Sequence, residues 1–202
     1  MNNNTNKISY SDDFEILLKD EAEKAEAMSL LHNKAYHRFN KFSVAVNIPV
    51  IILSSFVGFL SPLNMFQNQA IMLGCLSIFI AIIKTTDNYF DFTKRCETHR
   101  MTALNYIKIS KWIQIQLSLE RDCRVIASDL FTIINNDLQN IRDAEPAIPK
   151  ETILDFNRQY GDEPTCKPAI TNGLTKVHIN KKTIDNPKTD IPINIIVSEV
   201  KK

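Results

Sequence analysis

Two apolar runs dominate the pattern of hydrophobic and polar positions along the chain. They cover residues 42–61 and 69–85, and the uncharged segment 62–68 joins them. Charged residues make up 23% of the chain, yet none occurs from residue 42 to residue 83. A helix needs about 20 mostly apolar residues to cross a hydrocarbon core. The pattern predicts a hairpin of two transmembrane helices, at about 42–61 and 69–86. The alternative is a buried helical hairpin in a soluble protein.

An amphipathic pattern precedes the first apolar run. Ser11 followed by Asp12 and Asp13 is typical of a helix start, because a capping side chain and early acids suit the helix N-terminus. No glycine or proline interrupts the chain before Pro49, so this arm is predicted to continue into the first span without a break. Its apolar stripe consists of Phe14, Leu17, Leu18, Ala22, Ala25, Met28, Leu31, Ala35, Phe39 and Phe42.

Two further helices are predicted after the hairpin, since proline is absent between residues 62 and 146 and glycine between 74 and 161. The charged cluster at residues 120–122 indicates a break near 119–124. The first helix is expected to lie beside the N-terminal arm, and the second to fold back on both. The predicted stripe of the first comprises Phe90, the stem of Lys94, Met101, Leu104, Ile107 or Lys108, Lys111 or Trp112, Ile115 and Leu119. That of the second comprises Val125, Ile126, Leu130, Ile133, Ile134, Leu138 and Ile141.

Basic side chains flank the hairpin on one side only. Positive residues remain on the cytosolic side of a membrane, and the turn at 62–68 carries no charge. Both termini are therefore predicted to be cytosolic. The basic flanks are His32, Lys34, His37, Arg38 and Lys41 before the first span, and Lys84, Lys94, Arg95 and Arg100 at and beyond the end of the second.

Polar and small residues inside the spans are the candidate functional positions. Pro49 is expected to kink the first span. One interpretation is that these residues pack the two spans together. The other is that Asn47, Ser54 and Ser77 face a shared axis in an oligomer and line a polar path. The absence of ionisable residues within the spans argues against a proton-coupled carrier. The positions are Asn47, Pro49, Ser54, Ser55, Gly58, Gly74, Ser77 and Ala81.

Composition argues against several functional classes. The net charge of +1 gives no indication of nucleic-acid binding. The cysteines Cys75, Cys96, Cys123 and Cys166 are too widely separated to suggest a zinc site or a disulfide framework. No phosphate-binding loop or catalytic motif is present. We expect neither an enzyme nor a cofactor, and His99 is interpreted as a surface or interface hydrogen-bonding residue.

The C-terminal segment, residues 146–202, contains six of the eight prolines. It is predicted to be a largely disordered tail with one short helix at 150–160. Its last part, residues 190–200, is rich in Ile and Val and could add as a strand to a partner's sheet. Residues 1–10 are also predicted to be disordered, which leaves 11–145 as the membrane domain.

The helical domain resembles the SLATT family of two-span membrane domains over about residues 14–145. The resemblance lies in residues 32–36 (HNKAY), residues 48–58 (IPVIILSSFVG) and Glu97, His99, Arg100, Tyr106, Ile113 and Leu117. Such domains occur in bacterial conflict systems, and similar sequences occur in eukaryotes and large DNA viruses. The resemblance implies a membrane effector that forms pores when a partner senses infection.

The sequence as a whole predicts an all-α protein. Its two-span transmembrane hairpin extends into a cytosolic antiparallel helical bundle and is followed by the tail. The expected function is that of a homo-oligomeric membrane module that forms a pore or perturbs the membrane. Its expected partners are the lipid bilayer, further copies of itself and a protein that binds the tail. The alternative is a structural anchor or tether for a cytosolic or viral assembly.

Overall fold

The computed structural model describes residues 9–63, 65 and 67–173, and this part of the chain is helical without any strand. The all-α prediction is confirmed. The N-terminal residues 1–8 and the strand-like segment 190–200 lie outside the described residues. The helices are α1 (Asp12–Leu60), α2 (Gln69–Phe90), α3 (Phe92–Ser118), α4 (Ala127–Ala144), α5 (Lys150–Tyr160) and α6 (Ala169–Asn172), with a 3₁₀ turn at Arg121–Cys123.

Helix α1 runs from the polar arm through the first apolar run as one element of 49 residues. At 1.5 Å per residue it is about 74 Å long. Ser11 has extended backbone angles, and its side chain accepts a hydrogen bond from the Phe14 N–H at 3.3 Å. The predicted cap and the predicted continuity of the arm with the first apolar run are confirmed. The helix continues through Pro49.

The turn between α1 and α2 is held by an uncharged side chain. The Gln69 amide nitrogen donates to the Leu60 carbonyl oxygen at 2.6 Å, and its amide oxygen accepts from the Met65 N–H at 2.7 Å. The Leu60 carbonyl oxygen, at the end of α1, also accepts from the Leu63 N–H at 3.0 Å, so the Gln69 side chain ties the start of α2 to the turn. The hairpin can therefore reverse direction without a charged residue.

Helices α2 and α3 are separated by one left-handed residue, Asp91, whose φ is 53°. Its N–H donates to the Asp87 carbonyl oxygen at 2.9 Å and closes α2. No glycine or proline marks this boundary in the sequence. Aspartate nevertheless adopts the left-handed region more readily than most residues with a Cβ.

The main core lies where α3 returns along α1 and α4 packs across both. Its residues come from the first turns of α1, the second half of α3 and one face of α4. In this core α3 runs antiparallel to α1, and the core lies away from the apolar hairpin. The core consists of Phe14, Leu18, Ala22, Ala25, Tyr106, Ile109, Ile113, Ala127, Leu130, Ile134 and Leu138.

The predicted apolar stripe of α3 is wrong. Met101, Leu104 and Ile115 are 47%, 48% and 58% exposed. Small and hydrogen-bonding residues face α1 instead, because they allow two helices to approach closely. At one such contact the Ser29 hydroxyl donates to the Ala103 carbonyl oxygen at 2.8 Å. The buried face of α3 consists of Cys96, His99, Thr102, Ala103, Tyr106, Ile109, Ser110, Ile113 and Gln116.

The break predicted near residues 119–124 is confirmed, and Arg124 stabilises it. Its guanidinium donates to the carbonyl oxygens of Leu119 at 2.9 Å and Leu117 at 3.2 Å, which satisfies the open end of α3. It also pairs with Glu15 at 2.6 Å. Hydrogen bonds from Arg121 and Arg124 lower the pKa of Glu15 to about 2. The turn is therefore fixed to the start of α1.

The segment predicted to be disordered from residue 146 is folded as far as Gly173. The expected short helix is α5, and its Phe156 is buried with Ala27 and Leu31 of α1. Farther along, the Cys166 N–H donates to a Glu23 carboxylate oxygen at 2.6 Å. One apolar face of an 11-residue helix is enough to order this segment, although its overall composition is polar and rich in proline. Residues 174–202 lie outside the described part of the chain.

Two isoleucines of α3 provide a matched test of this packing. Ile113 is fully buried and Ile115 is 58% exposed. We expect Ile113→Ala to lower the free energy of unfolding by about 2–5 kcal/mol, because it leaves a cavity in the core. Ile115→Ala should change it by about 0.5 kcal/mol or less. Thermal unfolding in a non-ionic detergent, followed by circular dichroism, measures both. If the stripe predicted from the sequence were correct, Ile115→Ala would be the more destabilising of the two variants.

Candidate functional site

The apolar half of the molecule is turned outward. The structure contains two helices that are long and apolar enough to cross a membrane, one of them α1 and the other beginning at Gln69. Only 6% of the residues in each apolar 18-residue window are buried. The corresponding helix of a soluble core would be mostly buried. The apolar hairpin is therefore not buried within this chain, contrary to the soluble alternative.

Burial in the hairpin is confined to one line of residues on each helix. The positions recur at intervals of three or four, as expected where two helices touch along a single seam. The seam residues are Val50, Leu53, Val57 and Leu60 on α1, and Gln69, Leu73, Leu76, Ile80, Ile83 and Asp87 on α2.

The small residues singled out in the sequence lie away from this seam. Ser54, Ser55, Gly58, Gly74 and Ser77 are all exposed, as is Pro49. A Cβ added at Gly58 or Gly74 would meet nothing within 4 Å. The hairpin-packing interpretation is therefore wrong for these two glycines within one chain. A role between copies stays a prediction.

The hydroxyl groups of two of the serines donate hydrogen bonds within their own helices. Ser55 donates to the Ile51 carbonyl oxygen, and Ser77 donates to that of Leu73, each at 2.8 Å. Such bonds allow a hydroxyl to lie in an apolar environment at little cost. The exposed serines are therefore compatible with lipid or with the surface of a neighbouring helix.

A polar cluster lies at the base of the hairpin, where α1, α2 and α3 meet. The Lys84 ammonium donates to the Asn47 side-chain oxygen at 2.7 Å and pairs with Asp87 at 2.8 Å. Ser43 of α1 and Thr93 of α3 are joined by a hydrogen bond at 3.0 Å. Asn47 thus binds an ammonium group of the adjacent helix. The cluster fixes the register of the hairpin against the bundle.

A buried polar network forms a second cluster inside the bundle. His32 of α1 and His99 of α3 are both fully buried, and their Nδ1 atoms lie 2.9 Å apart. The Nε2 atom of His32 lies 3.6 Å from Glu145 Oε2, which is an ion-pair distance rather than a hydrogen bond. The same oxygen accepts a hydrogen bond from the Tyr106 hydroxyl at 2.6 Å. The network therefore joins α1, α3 and the residue that follows α4.

The 2.9 Å contact admits one proton between the two imidazoles, because two N–H groups would repel each other there. Burial lowers the pKa of His99 to about 4, and the proximity of His32 and Arg95 acts in the same direction. Burial alone would raise the pKa of Glu145, but the His32 imidazole and the Tyr106 hydroxyl outweigh it and lower that pKa. His99 is therefore neutral at pH 7.

The structure separates three of the family-like positions, His99, Arg100 and Tyr106. His99 and Tyr106 belong to the buried network, so His99 is a buried hydrogen-bonding residue between α1 and α3 and does not lie on the surface. Arg100 is on the surface and pairs with Glu97 at 2.7 Å. In the sequence His32 stands among the basic flanking residues and in the family-like run at residues 32–36, and neither predicts its burial. Its position between Leu31 and Ala35, on the predicted stripe of α1, was the signal that it is buried.

The described part of the chain contains no group of three or more His, Cys, Asp or Glu side chains arranged to hold a metal ion. A half-open cleft of about 360 Å³ lies beside the histidine network. Lys24 and Arg142 line it together with the apolar side chains of Met28 and Leu138. Lys24 is neutralised there by Glu21 at 2.7 Å.

No protein-family model, curated protein or solved structure matches the chain. The resemblance to the SLATT family therefore stays a prediction, carried by the residues quoted above. Functional inference rests on the geometry of the hairpin and of the two polar clusters.

The histidine network predicts a specific pH dependence of stability. Unfolded His99 takes up a proton below about pH 6.5, whereas folded His99 does so only near pH 4. The folded state thus binds fewer protons than the unfolded state between pH 6.5 and 4. The free energy of unfolding should therefore fall by up to about 3 kcal/mol as the pH drops through this range. Unfolding in non-ionic detergent at a series of pH values measures the slope of the free energy of unfolding against pH.

Two variants identify the group responsible for that slope. His99→Gln removes the titrating imidazole and should flatten the slope between pH 6.5 and 4. His37→Gln, at an exposed position one turn before the first span, should leave it unchanged. Equal slopes in the wild type and in His99→Gln would assign the pH dependence to other groups.

Proposed function

We propose that the chain is an integral membrane protein whose α1–α2 hairpin crosses a bilayer twice. The observation that carries this proposal is the exposure of the apolar hairpin, of which only 6% of each window is buried. Such a surface is costly in water, and monomeric soluble proteins rarely expose apolar patches of more than a few hundred Å². Lipid is the environment that suits it.

Both termini lie on the cytosolic side in this proposal. The bundle end of the hairpin carries Lys41, Lys94 and Arg95, all exposed, whereas the turn at the other end carries no charge. The retention of positive residues on the cytosolic side supports this orientation.

The hairpin also mediates self-association in this proposal. Ser54 and Gly58 are four residues apart on α1, and Ser77 and Ala81 are four apart on α2. This spacing of small residues favours close contact between transmembrane helices. The free space around Gly58 and Gly74 leaves room for a helix of a neighbouring copy.

The proposed activity depends on which side chains would meet at an interface between copies. Ser54 and Ser77 are exposed hydroxyl-bearing residues on the two spans, and several copies around an axis could bring them together. Asn47 is less suited to such a path because it binds Lys84 within its own chain. Together with the resemblance to the SLATT family, this supports a membrane-perturbing or pore-forming module.

The alternative function is an anchor whose C-terminal segment binds a cytosolic or viral partner. Phe156 packs on Leu31, so a truncation at residue 146 would damage the bundle itself. A truncation that removes residues 174–202 leaves α5 and α6 in place. Loss of a partner after this shorter truncation, with insertion and oligomeric mass unchanged, would support the anchor.

Enlarging the outward-facing glycines tests self-association directly. We expect Gly58→Leu and Gly74→Leu to lower the oligomeric mass of the protein in nanodiscs and to reduce dye release from liposomes. Each monomer has room for the new side chain, so folding should be retained. Mass photometry and a calcein release assay measure the two effects.

Ala45→Leu is the matched control for these variants. It makes a similar enlargement at an exposed position on a different face of α1. It should change neither mass nor leakage. A wild-type protein that is monomeric and does not leak would contradict the pore and leave the anchor.

The orientation is tested by accessibility to a membrane-impermeant thiol reagent. Cys123 is exposed in the bundle. A cysteine introduced at Ser61, which is exposed beside the turn, reports on the other side. In a background where the remaining cysteines are replaced by alanine, the two positions should be labelled from opposite faces of sealed vesicles. Labelling of both from one face would contradict two crossings.

A further inference from the structure

Four aromatic rings form a continuous row where the apolar hairpin joins the bundle. The ring centroids of Tyr89 and Phe90 lie 5.3 Å apart, those of Phe90 and Phe92 5.5 Å, and those of Phe92 and Phe42 6.1 Å. Tyr89 is 83% exposed, and Phe42 and Phe90 are about half exposed. The row is therefore a surface feature and not part of a core.

The left-handed residue Asp91 brings the middle of this row together. In an uninterrupted helix, residues two apart point to nearly opposite sides and do not meet. Phe90 and Phe92 nevertheless stack with only 18° between their planes, because the φ of 53° at Asp91 turns the chain between them. The break that separates α2 from α3 thus also assembles an aromatic surface.

Three exposed cations lie at the same level as the rings. The hydrogen bond between Ser43 and Thr93 sets the register of α1 against α3. Lys41 on α1 is two residues from Ser43, and Lys94 and Arg95 on α3 directly follow Thr93. All three are exposed, and none forms a salt bridge within the part of the chain that the structure describes. Asp91 is an exposed acid among these three cations, and Asp87 is paired with Lys84, so positive charge prevails.

We propose that this collar binds the headgroups of anionic phospholipids at the cytosolic face of the membrane. The collar comprises Lys41, Phe42, Tyr89, Phe90, Phe92, Lys94 and Arg95. The inference rests on the proposed function, since it requires the hairpin to be inserted. The collar specifies which class of lipid is bound and how deep the hairpin lies, and neither follows from membrane insertion alone.

Two features favour lipid over a protein partner. The aromatic row is continuous with the exposed apolar surface of the spans, and aromatic rings are enriched at the level of the headgroups in membrane proteins. The unpaired cations directly beyond it have the charge that attracts phosphatidylserine or phosphatidylglycerol. A membrane interface presents the same order of layers, with hydrocarbon first, then headgroups, then water.

Lipid selectivity is measured by native mass spectrometry of the full chain. The protein is reconstituted in nanodiscs of equal phosphatidylcholine and phosphatidylglycerol, and the lipids that remain bound on release are counted. Each basic residue near an anionic surface raises the affinity about fivefold. We expect the wild type to retain phosphatidylglycerol preferentially. Replacement of Lys41, Lys94 and Arg95 by Gln should lower the preference by about fivefold or more.

The matched control removes the same charge far from the collar. Lys19, Lys108 and Lys111 are exposed residues of the distal bundle, and their joint replacement by Gln should leave the preference unchanged. An equal loss in both triple variants would mean that net charge alone is responsible, which would overturn the collar.

The depth of the collar in the membrane is measured independently by tryptophan fluorescence. Trp112 is the one tryptophan of the chain. In the double variant Tyr89→Trp with Trp112→Phe, emission comes from position 89. Lipids brominated close to the headgroup should quench it more strongly than lipids brominated near the chain ends. Absence of quenching by either lipid would place the collar outside the membrane and overturn the proposal.

Extraction with alkaline carbonate separates failure of the collar from failure of the proposed function. If the wild type stays in the membrane fraction without preference for phosphatidylglycerol, the collar is overturned and the membrane function stands. If the wild type is extracted, insertion itself is contradicted, and the collar falls with it.

Discussion

The pairing of α1 with α3 is the interaction on which the other contacts of the structure depend. Along its first half α1 meets α3 through apolar residues such as Leu18 and Ile113. It also meets α3 through hydrogen-bonded residues, with Ser29 against the Ala103 backbone and His32 against His99. This close approach forms the groove that α4 covers. It also sets the register at the base of the hairpin, where Ser43 meets Thr93. A shift of one helix past the other would break all of these contacts together.

Such an interface explains which parts of the fold could be predicted from the sequence. The spans, the cap at Ser11 and the break after residue 118 leave local signals, because long uncharged runs, capping residues and charge clusters act over a few neighbouring positions. The buried face of α3 leaves no such signal. A search for apolar spacing selects Met101, Leu104 and Ile115, which are exposed, and passes over Thr102 and Ser110, which are buried.

The same reasoning applies to the candidate sites. Asn47 was recognisable as a polar residue in an apolar run, but its partner Lys84 could be found only when α1 and α2 were placed side by side. The buried network joins residues 32, 99, 106 and 145, which are far apart in the sequence. The burial of His32 could be inferred from its position beside the apolar stripe of α1. The left-handed backbone of Asp91 had no compositional marker, because glycine is the residue that usually signals this conformation.

One continuous helix links the two environments of the molecule. Because α1 has no break between Asp12 and Leu60, its buried first half and its exposed apolar second half belong to one continuous helix. The second span is joined to the bundle through a single left-handed residue and through the contact of Lys84 with Asn47 and Asp87. The packing of α1 against α3 is therefore linked to the first apolar run through an unbroken helix. It is linked to the second through Asp91, through the seam between α1 and α2 and through the polar cluster at the base of the hairpin.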